Sequence, residues 1–349
     1  MTELVTADAC ALHLAPRVPA TAPLRGQVLI VHGLGEHSGR YAHVARHLAG
    51  CGFDVMAYDH RGHGRSQGPR GVIPTADSLL ADLGAVLAQV RAGQPGVPLL
   101  LLGHSLGGLV AGRFVAEGLA RRPAPWWQAV DALVMSSPAL DLGMGLAQKA
   151  LLAVLGPIAP GLGVANGLKP GLDCRDAAVV RAYQADPLVH GRIAPRLVRF
   201  MLDAGAQVRA CAAQWATPTC LLYAGADRCA APRGSAAFAA AAPAARVQAT
   251  ANPSPAHETL NEPEQARVLA DLTTWLQGAA LWRRAAGAAR ECRRRCQPRW
   301  CRHRPPSWAP RAGPPIRGLP SADRAPQRPS PFDRNAHERP RSAATPATR

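Results

Sequence analysis

The stretch that most constrains this chain is Leu99-Leu100-Leu101-Leu102-Gly103-His104-Ser105-Leu106-Gly107-Gly108. An apolar run long enough for a buried strand meets Gly-His-Ser-Leu-Gly, and Leu109-Val110-Ala111 then opens a helical pattern. A strand-to-helix turn that sharp strains the backbone at Ser105, and side chains at positions 103 and 107 would collide with neighbouring elements. In exchange it presents a hydroxyl at its tip, beside the first free N–H groups of a helix. Gly-x-Ser-x-Gly in that setting is the nucleophile-elbow pattern, which makes Ser105 a candidate nucleophile. A Gly-rich turn with an incidental Ser is the bland alternative, and the flanking strand and helix patterns weigh against it.

The surrounding chain repeats the same alternation. Residues 1–24 read as a polar, Pro-containing lead-in with room for short edge strands. Residues 27–32 are a β-branched run ended by Gly33, and 41–49 have helical spacing closed by Gly50 and Gly52. Residues 53–58 form the next strand, 78–91 an amphipathic helix, and 130–135 a strand leading into Ser136-Ser137-Pro138. Strands read as continuous apolar runs between helices, which predicts an α/β fold with a mostly parallel central sheet and helices on both faces. In such sheets function collects at the C-terminal strand ends, where His32-Gly33, Asp59 and Ser105 all fall.

The alternation breaks over residues 141–196, where apolar pieces interrupted by Gly and Pro carry no strand signal. That segment is expected to be a helical insertion capping the sheet edge. Regular α/β pattern resumes with the strand at 219–225, which ends at Asp227. A weaker strand at 246–251, a loop carrying His257 and a last helix at 264–277 follow. The expected division is therefore a core of residues 1–140 and 197–278, a cap of 141–196, and a tail of 279–349. The tail holds seventeen Arg and twelve Pro without periodicity, the composition of a disordered segment. With two Lys against 38 Arg in the chain, it reads as an accidental extension of the fold.

The net charge of +17 suggests a nucleic-acid binder, but most of it sits in that tail. An anionic-surface or nucleic-acid arm is thus one reading, which predicts a steep salt dependence. Few aromatics are present there to stack bases, and Cys292, Cys296, Cys301 and His303 match no common zinc spacing, so no specific nucleic acid is expected. Nine Cys without paired spacing argue for a reducing compartment, and no signal sequence or membrane span is visible, so a cytoplasmic location is expected.

A Ser hydroxyl is a poor nucleophile until a base takes its proton, and the base needs an acid to fix its tautomer. In this chain order the acid follows the Ser and the His comes last. Asp227 fits the acid, because it follows a buried strand and the sharp Gly225-Ala226; a turn or N-cap role is its alternative. Asp186 and Asp203 are rivals by residue type only, since neither ends a strand. His257 is the one His after the acid and before the tail. Charge developing on a substrate oxygen also needs preorganised N–H donors. The backbone N–H of Leu106 supplies one candidate, and the loop 32–35 supplies the other, the N–H of Leu34.

Together these residues resemble the monoacylglycerol lipase and lysophospholipase branch of the α/β hydrolases, the serine aminopeptidase-like branch. The resemblance covers about residues 5–277. It rests on His32-Gly33-Leu34-Gly35-Glu36-His37-Ser38-Gly39-Arg40-Tyr41, on Asp59-His60-Arg61-Gly62-His63-Gly64-Arg65-Ser66, on the elbow, and on Asp186-Pro187-Leu188-Val189. Gly225-Ala226-Asp227-Arg228 and His257-Glu258 with Asn261-Glu262 complete it. It implies Ser105, Asp227 and His257 as a triad, Leu34 and Leu106 as oxyanion donors, and residues 141–196 as a lipophilic cap over an acyl pocket. The residue before His257 departs from the pattern, being Ala256 where an aromatic usually stands.

The expected activity is hydrolysis of carboxylic esters through an acyl-enzyme, with small single-chain acyl esters such as monoacylglycerol or lysophospholipid as substrates. Short-chain esters and amides, the latter as in aminopeptidases, are the alternatives of the same class. No cofactor or metal and no obligate protein partner is expected, and the apolar cap gives scope for peripheral contact with membrane lipid.

Overall fold

The computed structural model describes residues 2–168, 174–252 and 257–278. Residues 253–256, just before His257, and residues 279–349 lie outside the described residues.

Strands β1 (Glu3–Val5) and β2 (Ala11–His13) make a small antiparallel ribbon. The core then builds up as β3 (Gly26–Val31), α1 (Ala42–Gly50), β4 (Phe53–Tyr58), α2 (Ser78–Gly93), β5 (Leu99–His104), α3 (Leu106–Glu117) and β6 (Ala132–Ser136). Next come α4 (Leu146–Ile158), β7 (Val164–Ala165), α5 (Ala177–Ala185) and β8 (Arg192–Ile193). The chain returns through α6 (Pro195–Ala210), β9 (Thr219–Ala224), α7 (Pro232–Ala241), β10 (Val247–Asn252) and α8 (Gln265–Gly278).

Six strands form one parallel sheet in the order β4-β3-β5-β6-β9-β10. The four leucines of β5 explain themselves there, because both faces of the sheet are covered. Leu99 and Leu101 join the core built with α2, α3 and α6, whereas Leu100 and Leu102 join the one built with α1 and α8. All four are 0% exposed, and each such burial contributes roughly 1.5–3 kcal/mol. The outer edge of β4 is covered by the lead-in, where Leu14 and Val18 bridge to Tyr58 and Val55.

The strand order reverses between β3 and β5: β4 lies on one side of β3, and β5 begins the run on the other. The reversal opens a crevice at the C-terminal ends of these two strands. The loop after β3, with Leu34, and the elbow after β5, with Ser105, emerge on either side of it.

Two departures from the sequence expectation concern the segment after β6. Residues 141–196 do carry a strand pairing, the two-residue antiparallel ladder of β7 and β8, too short to leave a periodic signal. Helix α6 begins at Pro195 and packs against α3 through Leu197, Met201 and Val208, so regular structure resumes before Thr219. Helix α4 buries none of its residues, and Leu146 and Ile158 are 86% and 76% exposed. No helix among the described residues is long and apolar enough to cross a membrane.

Candidate active site

Ser105 sits between the end of β5 and the start of α3 with φ 52° and ψ −117°, the left-handed strain expected of the elbow. Such a conformation costs on the order of 1–3 kcal/mol in a non-glycine residue and survives only where the surroundings enforce it. Here they do. A Cβ at Gly103 would lie 2.3 Å from the Gly107 carbonyl oxygen, and one at Gly107 would lie 2.0 Å from that of Val31. Both obstacles are backbone and cannot yield. The Ser105 N–H donates to the Ser136 carbonyl at 2.9 Å, which ties the elbow to the end of β6.

Asp227 follows β9, in the turn before α7. Its Oδ1 accepts the N–H groups of Cys229 (2.7 Å) and Ala230 (3.0 Å), which leaves Oδ2 directed elsewhere. That oxygen lies 2.6 Å from Nδ1 of His257, and His257 Nε2 lies 2.7 Å from the Ser105 hydroxyl oxygen. A carboxylate accepts only, so Nδ1 carries the proton and the Nε2 lone pair faces the hydroxyl. Asp227 and His257 are buried, whereas Ser105 is partly exposed. Three residues from three separate loops thus form one hydrogen-bonded chain. The rival carboxylates are engaged elsewhere: Asp186 takes His37 Nε2 at 2.8 Å, and Asp203 pairs with Arg199 on an exposed face of α6.

Leu106 is the first residue of α3, so its N–H has no intrahelical acceptor. The loop after β3 lies against the elbow, since a Cβ on Gly33 would approach the Ser105 Cβ to 3.2 Å. Leu34 and Ser105 line the same cavity, of about 350 Å³. Its walls combine apolar side chains such as Leu142, Met144, Ile193 and Met201 with a polar corner of Glu36, Arg40 and Glu258.

Two buried polar chains around this site carry no individual role in the sequence reading. In one, Arg40 donates to Glu36 and, at 2.6 Å, to Glu258, the residue after His257; its guanidinium also lies 4.8 Å over the Tyr183 ring of α5. In the other, His104 Nδ1 meets the Ser136 hydroxyl at 3.1 Å, and Ser136 meets that of Thr259 at 2.9 Å. The Thr259 N–H in turn donates to the His257 carbonyl, so this chain braces the segment that carries His257. Burial and the neighbouring His257 push His104 down to about 3, which keeps its ring neutral. An i, i+4 spacing links Glu36 to Arg40, but nothing local in the sequence ties either to Glu258, 218 residues on from Arg40.

Among the described residues no group of three or more His, Cys, Asp or Glu is placed to hold a metal ion. Their six cysteines form no disulfide.

A six-stranded parallel sheet with a Gly-x-Ser-x-Gly turn at its switch point, an acid after β9 and a His after β10 has the organisation of the α/β-hydrolase fold. Within that fold, the chain belongs to the serine aminopeptidase, S33 family, which it matches over residues 22–264. It is 36% identical over 261 residues to a monoacylglycerol lipase of Mycolicibacterium smegmatis, covering 74% of this chain and 90% of that protein. The human monoglyceride lipase is 33% identical over 192 residues, covering 54% of this chain and 60% of the human one. Among solved structures, the monoacylglycerol lipase of Paleococcus ferrophilus superposes with a TM-score of 0.66 at 33% identity, covering 76% of this chain and 98% of that one.

Proposed function

We propose that this chain is a serine hydrolase of carboxylic esters in which Ser105 is the nucleophile, His257 the base and Asp227 the acid. The observation that carries the reading is the continuous hydrogen-bonded chain from Asp227 Oδ2 through both ring nitrogens of His257 to the Ser105 hydroxyl. As Ser105 Oγ attacks the ester carbonyl carbon, its proton passes to His257 Nε2, and the ionised Asp227 stabilises the imidazolium. The carbonyl oxygen becomes negative and accepts the N–H groups of Leu34 and Leu106, a term worth about 3 kcal/mol per donor. When the intermediate collapses, His257 returns the proton to the leaving alcohol and an acyl-Ser105 ester remains. Water attacks that ester, His257 takes the proton from it, and the acid leaves as Ser105 recovers its hydroxyl.

The substrates we propose are single-chain acyl esters, monoacylglycerol or lysophospholipid among them. The mixed cavity supports this reading, because apolar walls suit an acyl chain and the Glu36, Arg40 and Glu258 corner suits a polar alcohol. Residues 141–196 then act as the cap over the acyl end, with residues 1–140 and 197–278 as the core. The exposed apolar side chains of α4, Leu146, Leu151, Val154 and Ile158, give this cap a surface suited to lipid contact. A rate series on monoacylglycerols from two to eighteen carbons, on p-nitrophenyl esters and on an aminoacyl amide tests the proposal. We expect kcat/KM to rise by about tenfold or more from the shortest to a longer chain, at ~0.8 kcal/mol per buried methylene, with the amide far slower. A maximum at two carbons, or with the amide, would overturn it.

A further inference from the structure

The Leu34 N–H belongs to the Gly33–Leu34 peptide, and two buried side chains hold Gly33, one at its carbonyl and one at its N–H. His32 Nδ1 lies 2.8 Å from the Gly33 carbonyl oxygen, and its Nε2 accepts the His60 N–H at 2.9 Å. Because Nε2 is an acceptor, the proton resides on Nδ1, and His32 donates to the Gly33 carbonyl. In a trans peptide the N–H points opposite to the C=O, so fixing the Gly33 oxygen aims the Leu34 N–H. At the preceding peptide, the Gly33 N–H donates to Glu36 Oε1 at 2.5 Å. The same oxygen accepts the Tyr41 hydroxyl at 2.6 Å, and the other Glu36 oxygen accepts Arg40.

These groups are expensive where they stand. His32, Glu36 and Tyr41 are all essentially buried, and apolar residues of similar shape would avoid the desolvation cost of the charged pair. A carboxylate beside an oxygen about to become negative is unfavourable unless it is balanced, which Arg40 does. Burial opposes ionisation of Glu36, yet Arg40 foremost, and the hydrogen bond from Tyr41, hold it below its ordinary value. Burial likewise keeps His32 below its ordinary value, in the neutral form that can donate from one nitrogen and accept at the other. Neither group takes a proton in the proposed reaction.

We propose that Glu36 and His32 are positioning residues: together they lock the Gly33–Leu34 peptide so that the Leu34 N–H faces the oxygen that becomes negative when Ser105 attacks. The inference rests on the proposed roles of Ser105 and Leu34.

The test compares Glu36→Ala and His32→Ala with Glu36→Gln and His32→Asn, which keep an acceptor and a donor near the original atoms. The readouts are kcat and KM for p-nitrophenyl butyrate and inhibition by a trifluoromethyl ketone, which forms a tetrahedral oxyanion on the nucleophile. Deleting an oxyanion donor outright costs about 10²–10³ in kcat, so misaiming one should cost roughly 10–100-fold in the Ala variants. The same factor should appear in ketone affinity, KM for this ester, whose leaving group lacks the hydroxyls that the polar corner would take, should stay near wild type, and the amide variants should recover most of the loss. Folded Ala variants with wild-type kcat and ketone affinity, or with only a raised KM, would overturn the proposal. If the Ala variants do not fold, the amide variants decide, because Gln and Asn restore the lost bonds incompletely: a few-fold loss in kcat matched in ketone affinity supports it, and a loss in kcat alone, or no loss in either, overturns it. Ser105→Ala separates the two levels. Wild-type hydrolysis by that variant defeats the nucleophile assignment itself, whereas an inactive Ser105→Ala beside a fully active Glu36→Ala defeats only the positioning roles.

Discussion

Replacing Asp227 by Asn tests whether the acid acts through the tautomer of His257. Asp227 Oδ1 is held by two backbone N–H groups, from Cys229 and Ala230. Asn has one acceptor oxygen, and those two donors claim it, so its NH₂ must face His257 Nδ1, where Oδ2 now lies 2.6 Å away. Nδ1 can accept that contact only by giving up its proton, which moves to Nε2 and points at the Ser105 oxygen that Nε2 should deprotonate. Losing a hydrogen bond to a charged group costs about 1.5–3 kcal/mol, and facing two donors in a buried site costs about 1–3 more. At 1.36 kcal/mol per factor of ten, the sum predicts a fall in kcat of roughly 10²- to 10⁴-fold. The substitution is isosteric and preserves the turn, so thermal unfolding followed by circular dichroism should move by only a few degrees. The assay is steady-state hydrolysis of p-nitrophenyl butyrate, normalised to folded protein. A kcat within tenfold of wild type would refute the tautomer reasoning.

Three further outcomes follow from other parts of the molecule. Gly107→Ala places a Cβ 2.0 Å from the Val31 carbonyl oxygen, and a backbone obstacle of this kind should lower stability by more than about 3 kcal/mol, read as a large drop in Tm or insolubility. Thr259→Val removes one of the two partners of the Ser136 hydroxyl and leaves it His104 Nδ1, which should cost about 0.5–1.5 kcal/mol of stability and lower kcat more than it changes KM. Burial lowers His32, His60, His63, His104 and His190 below the unfolded value of 6.5, the last two to about 3 and about 4. The unfolded chain therefore binds more protons below pH 6.5, and stability, complete above that value, should fall as pH drops from 6.5 towards 4. Asp82 and Glu258, pushed up by burial, act in the opposite sense within the carboxylate range. A Tm at about pH 5 equal to or above that at about pH 7.5 would contradict the balance.

The parts of this fold that sequence discloses are those where one local pattern decides the structure. Leu99–Leu102 reads as a strand buried on two faces because the run is short and stops at glycine, and the glycines around Ser105 mark a turn too tight for Cβ atoms. Asp227 and His257 stand out in the sequence because each follows a strand in the chain order of this fold, although His257 meets Ser105 across 152 residues of chain. Helix α7 leaves no such mark, since its ten residues offer one large apolar side chain, Phe238, in an Ala-rich background with no apolar period. The β7–β8 ladder is two residues long and has no period to detect. The bracing groups escape for a different reason. Glu36, Arg40, Thr259 and His104 are ordinary polar residues whose roles depend on partners brought together only by the sheet, as when Ser136 of β6 links His104 to Thr259.

Covalent labelling distinguishes Ser105 from every other candidate nucleophile in the chain. Exposed to a fluorophosphonate, the wild-type chain should gain the mass of one adduct, located by peptide mapping on Ser105, and should lose ester hydrolysis in step with labelling. Ser105→Ala should gain none and should hydrolyse no ester above background. Equal labelling of the two proteins, or an adduct on another residue that tracks the loss of activity, would rule out Ser105 as the nucleophile.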